Sequence, residues 1–140
     1  MTDRERIQEF ALLLKSTGGT DFLRLGAETK LTELSHRKVR LTVALLRARN
    51  GERPQQRIAF MDKGGKPMML AFPDPKEALT KLFPDGSVEL LQITVTTLLD
   101  WLIHSPAYGI LLPVGPLDDP EHVDMVVIDK EMAKTALGVK

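Results

Sequence analysis

The sequence predicts an α+β fold, a single compact domain in which a mostly antiparallel sheet is packed with helices. Three observations lead there. Helical periodicity with cap signals opens and closes the chain. Several short runs between them alternate apolar with polar residues, or are apolar throughout, as strands do. A glycine-rich turn joins two of those runs into a hairpin, the local connection of an antiparallel sheet.

The elements follow in order. Thr2 with Glu5 three residues later is a capping-box pattern. Ile7, Phe10, Ala11 and Leu14 recur at helical spacing, so Asp3 to Lys15 reads as an amphipathic helix that Gly18-Gly19 ends. Thr20 or Asp21 caps a second, short helix containing Phe22, Leu23 and Leu25, whose end the pattern leaves open between Gly26 and Leu34. Val39, Leu41, Val43 and Leu45 alternate with Arg40, Thr42 and Ala44 as a strand. Arg57 to Met61 and Met68 to Phe72 form a hairpin around Asp62-Lys63-Gly64-Gly65-Lys66, where glycine accepts a positive φ without a Cβ clash. Pro75 in a first turn, followed by Ala78, Leu79 and Leu82, predicts a helix. Val88 to Gln92 is a short strand. Thr94 or Thr96 opens a helix with a thick apolar face, Leu98, Leu99, Trp101, Leu102 and Ile103, stopped at Ser105-Pro106. On this pattern Trp101 belongs to the core. Tyr108 to Val114 and Val123 to Ile128 read as buried strands, and Asp129 caps a last helix that Gly138 closes.

With 140 residues the chain suits one domain, and such a domain buries roughly 65–70% of its unfolded surface. The sequence holds no cysteine, which excludes a disulfide framework, thiolate catalysis and cysteine zinc sites, and fits a reducing compartment. No run approaches the ~18–20 apolar residues of a membrane span, and the apolar run after the N-terminus lacks the features of a secretory leader, so a cytoplasmic location is expected. Net charge is zero but unevenly spread. All nine arginines lie at or before Arg57, where bases exceed acids by twelve to seven; beyond it the balance is reversed.

From the second strand onward the chain resembles the N-terminal domain of the bacterial SseB (enhanced serine sensitivity) family. The segment Asp62-Lys63-Gly64-Gly65-Lys66-Pro67-Met68-Met69-Leu70-Ala71-Phe72-Pro73-Asp74, continuing into Glu77-Ala78-Leu79, is similar to that family's G-x-P-x-L-x-F-T-D … E-A-L pattern. The apolar helix Leu98 to Ile103 and the strand Tyr108-Gly109-Ile110-Leu111-Leu112-Pro113-Val114-Gly115 carry the rest. Pro73 and Leu112 depart from the family, which favours threonine and asparagine there. The resemblance implies residues 1–19 as an N-terminal helix with a Gly-Gly joint, and residues 20–140 as an SseB-like α+β domain. It also implies an interaction module with no catalytic activity to carry over.

Several clusters are candidates for function. Asp118, Asp119, Glu121, His122 and Asp124 offer oxygen and nitrogen ligands to a divalent cation, but without EF-hand spacing; a solvated, turn-rich loop explains them as well. The three histidines, His36, His104 and His122, show no ligand spacing of three or four, and His104 suits a helix C-terminus. Gly64-Gly65-Lys66 suggests phosphate contact, yet no phosphate-binding motif surrounds it. Arg37, Lys38 and Arg40 head a basic segment reaching Arg57. If Lys38, Arg40 and Thr42 share a strand face, that face would meet phosphates, though no aromatic stacking platform accompanies it.

The leading expectation is a non-enzymatic domain with an unidentified protein partner and no cofactor. Its contact surface is a groove beside the sheet, near the Gly64-Gly65 turn or the loop carrying Asp118, Asp119 and His122. The alternatives are nucleic-acid binding through residues 36–57, and a small metal-binding or enzymatic domain using residues 118–124. The N-terminal helix packs on its own sheet or crosses to a second copy, making a homodimer possible. On this reading a chelator leaves the melting temperature unchanged; a loss restored by calcium, magnesium or zinc would revive the acidic loop as a metal site.

Overall fold

Thr2 starts the first helix as its spacing to Glu5 implies. Its hydroxyl accepts the Glu5 N–H at 3.2 Å and donates to the Glu5 carboxylate at 3.1 Å. The computed structural model describes residues 2–16, 21–46, 60–61, 65–73, 88–114 and 125–138. The helix expected after Asp74 and the start of the strand at Arg57 lie outside them. Helix α1 runs over Asp3–Ser16 and buries Ile7, Phe10 and Ala11 in the domain's own core. Asp3 also accepts the Arg40 N–H at 3.1 Å, which ties the start of the helix to the start of the first strand.

Helix α2, Asp21–His36, is longer than expected because the periodicity continues through Gly26 to Ala27, Leu31 and Leu34, all buried. A glycine inside a helix costs roughly 1 kcal/mol against alanine, which the burial of that stripe outweighs. The end of α2 is a Schellman motif. Val39 N–H reaches the Leu34 carbonyl and Lys38 N–H the Ser35 carbonyl, both at 3.3 Å. Leu34 and Val39 are buried together, the apolar contact that accompanies this cap. Lys38 therefore sits at φ 55°, a left-handed position that glycine usually fills.

The described strands are β1 (Arg40–Leu46), β2 (Phe60–Met61), β3 (Pro67–Phe72), β4 (Val88–Thr94), β5 (Gly109–Pro113) and β6 (Met125–Asp129). The sheet order is β4-β1-β3-β5-β6, and β2 pairs the start of β3. Among the described residues four of the pairings are antiparallel, and β3 with β5 is parallel. The expected hairpin is present, with Phe60 opposite Met68 and Gly65 at φ 78° in its turn. Helix α3 (Val95–Ile103) follows β4 directly, capped by Thr94, which accepts the Thr97 N–H at 3.2 Å. Helix α4 (Lys130–Leu137) is capped by Asp129, which accepts the Met132 N–H at 2.8 Å, and is closed by Gly138 at φ 70°.

The four described helices all bury residues in one core with Leu41, Val43 and Leu45, Met69 and Ala71, Ile110 and Leu112, and Val126 and Ile128. These strand residues alternate with Thr42 and Ala44, Met68, Leu70 and Phe72, and Leu111, which are buried on the opposite face. Both faces of β3 and β5 are thus covered, which explains their unbroken apolar sequence. Trp101, expected in the core, is only half-buried: it packs against the core beside Leu98 and Leu102, which are fully buried. No helix among the described residues is long and apolar enough to cross a membrane.

Two substitutions test this packing. Lys38→Gly relieves the left-handed cap and should stabilise the domain by about 0.5–1 kcal/mol, read as a higher melting temperature. Gly109→Ala should cost about 1–3 kcal/mol. A Cβ there would lie 2.8 Å from the Ile128 carbonyl oxygen and 2.9 Å from Val127 Cγ1, and the backbone atom has no room to move. An unchanged denaturation midpoint for Gly109→Ala would show that the β5–β6 spacing is not fixed there.

Candidate functional site

A pocket of about 490 Å³ opens where β3 and β5 begin and β6 ends. Pro67, Pro106, Ala107 and Tyr108 supply apolar lining, and Lys66, Asp129, Lys130 and Glu131 supply charge. Its geometry grows from the end of α3. Proline at 106 stops that helix, and the freed chain is held by Ser105 instead. The buried Ser105 hydroxyl donates to the Leu102 carbonyl at 3.0 Å and accepts the Ala107 N–H at 3.1 Å. Tyr108 N–H then donates to the Pro67 carbonyl at 2.8 Å, which joins this turn to the first residue of β3. Across the pocket, the Lys130 ammonium donates to the Ser105 carbonyl at 2.7 Å and fixes the first turn of α4 against the same segment.

This framework places Tyr108 at the surface. Its side chain is 54% exposed, and the Lys66 ammonium stands over its ring at 4.1 Å from the centroid. Tyr108 was expected inside a buried strand. It instead precedes β5, because Gly109 is the first residue paired with β3 and β6. A continuous apolar run gives no periodic sign of which terminal residue leaves the sheet.

The glycine turn adjoins this site. Gly65 immediately precedes Lys66 and Pro67, which line the pocket. Gly64, Asp118, Asp119 and His122 lie outside the described residues, as does the rest of the acidic loop. Among the described residues no three histidine, aspartate or glutamate side chains gather as a metal site.

The basic residues lie elsewhere. Arg37, Lys38 and Arg40 are exposed at the junction of α2 and β1. β1 runs antiparallel to β3, with Thr42 opposite Phe72, so this junction is at the far end of the sheet from Pro67. The face imagined for Lys38, Arg40 and Thr42 does not form. Lys38 belongs to the helix cap, and Thr42 is 2% exposed, because the sheet is covered on that side too. Arg37 pairs with Glu33 at 3.2 Å, four residues earlier on α2. Lys30 pairs with Glu9 at 3.3 Å across the α1–α2 groove, so bases and acids alternate there. His104 ends α3 as expected, its Nδ1 2.9 Å from the Asp100 carbonyl.

A scan against models of protein families, a search of curated proteins and a search of solved structures gave no match to this chain.

Proposed function

We propose that the chain is a non-enzymatic protein-interaction domain of the bacterial cytoplasm, similar to SseB N-terminal domains, and that it holds a partner segment in the Tyr108 pocket. One observation carries this reading. A tyrosine left more than half exposed is mounted on a rigid turn within a pocket of about 490 Å³. Exposed aromatics in apolar pockets are the residues that most often anchor protein contacts, since a ring covers much area and loses little entropy.

The charges around the pocket favour a protein over a nucleic acid. Lys66 and Lys130 are balanced by Asp129 and Glu131, so no net positive field attracts a polyanion. An extended segment would lay apolar side chains on Pro67, Pro106 and the Tyr108 ring. The rim would select charge pattern rather than sign. The arginine-rich alternative draws less support, because Arg37 is engaged with Glu33 and Thr42 is buried.

The test is comparative capture from native extract, with affinity then measured for the recovered protein. Tyr108→Ala should weaken that affinity at least tenfold, as removal of an interface anchor does. Its melting temperature should stay near that of the parent, because the ring is largely solvated. A partner that binds Tyr108→Ala as tightly as the parent would remove the pocket from the reading.

A further inference from the structure

Among the described strands β4 ends the sheet, and all seven of its residues are in register with β1. One hydrogen bond fixes the parity of that ladder. Val95 N–H donates to the Val39 carbonyl at 2.8 Å, continuing the register in which Arg40 faces Thr94. Bonded pairs in an antiparallel ladder recur at every second position. Leu41 with Ile93, Val43 with Leu91 and Leu45 with Glu89 are therefore bonded pairs. The N–H and C=O groups of Leu90 and Gln92 point away from β1. Among the described residues nothing bonds to them.

Proteins usually guard such an edge with lysine, proline, a bulge or a cover. The segment Val88-Glu89-Leu90-Leu91-Gln92-Ile93-Thr94 contains no base and no proline, and its single charge lies near one end. Leu90, Leu91 and Ile93 are each only half-buried, on both faces of the strand. The geometry points to β4 as the surface on which a second copy of this chain pairs, antiparallel, about a two-fold axis that passes midway between the two Leu91 residues.

The register follows from parity. Outward groups must meet outward groups, and the antiparallel pairing that uses all seven residues is centred on Leu91. Leu90 of each copy then exchanges hydrogen bonds with Gln92 of the other. Leu91 faces Leu91 at a non-bonded position, where side chains approach most closely. Leu91 and Ile93 already pack against the helix-side core, so this contact joins the two cores. The two Glu89 carboxylates fall at opposite ends, each across from Ile93, and no like charges meet. The strand is complementary to itself, as an isologous interface requires.

Absence of native cysteine makes the test direct. Paired Leu91 positions would have Cα atoms about 4.5 Å apart, within the range a disulfide spans. Leu91→Cys should therefore oxidise to a covalent dimer of twice the 15.6 kDa chain mass. Glu89→Cys should not, because its counterpart is Ile93. In sedimentation of the unmodified chain a dimer should form, and Gln92→Pro should weaken it at least tenfold. That proline removes an outward N–H and leaves the bonds to β1 intact. Gln92→Lys serves the same purpose should the proline variant fail to fold. A chain that stays monomeric at several hundred micromolar (roughly the upper range in which weak association is read) would overturn the proposal. So would a dimer undiminished in Gln92→Lys, or equal cross-linking through Glu89→Cys. None of these readouts involves Tyr108, so the outcome is independent of the pocket.

Discussion

Strand β3 is bonded along both edges and buried on both faces, and the rest of the domain is arranged around that constraint. Leu70 faces Ala44 of β1 on one side and Leu111 of β5 on the other. Met68 likewise lies between Phe60 of β2 and Gly109 of β5. β1 and β2 therefore share one edge of β3, at its two ends, and β5 takes the other. The side chains divide as strictly: Met69 and Ala71 enter the helix-side core, and Met68, Leu70 and Phe72 fill the opposite side. A strand with no solvent on any side cannot carry a polar residue cheaply, and Met68-Met69-Leu70-Ala71-Phe72 contains none.

The same constraint explains Gly109. At that residue β5 enters between β3 and β6, with the Ile128 carbonyl and Val127 close on one side and Met68 behind. Only a residue without a Cβ admits all three neighbours. Because Gly109 starts the strand, Tyr108 falls one residue outside it, and the bond from Tyr108 N–H to Pro67 holds it beside the turn into β3. The pocket thus lies where the packed central strands begin, and its aromatic residue is the one just outside them.

Sequence made local features legible and left the others obscure. The caps at Thr2, Thr94, Asp129 and Gly138 could be read because each depends on residues within four positions of itself. The hairpin at Gly65 is equally local. Lys38 was missed because its left-handed backbone is enforced by the joint burial of Leu34 and Val39, while its own side chain argues against it. The parallel pairing of β3 and β5 joins residues about forty positions apart and leaves no local trace. β4 ran two residues further than its apolar run suggested, because β1 pairs it through to Thr94. Of the candidate site, Gly65 pointed to the right end of the sheet, while Tyr108, Lys130 and Glu131 were not singled out for it. They converge through tertiary contacts, and the basic residues that stood out in sequence are at the other end.

The order β4-β1-β3-β5-β6 also separates the two proposed surfaces. The pocket lies by β3, β5 and β6, whereas the edge offered to a second copy is β4. With neighbouring strands about 4.8 Å apart, a two-fold midway between the paired β4 strands puts the two β5 strands roughly 30–35 Å apart. Each pocket is displaced toward opposite ends of the paired strands, so the pockets lie about 40 Å from each other, on the same face of a continuous sheet. A short linear segment fills one of them and no more. A partner carrying two such segments gains from the second only when its linker spans that distance, and its effective concentration then depends on linker length rather than on any new contact. Dimerisation through β4 would thus leave the affinity of each pocket unchanged, yet favour elongated or repeated partners over compact ones.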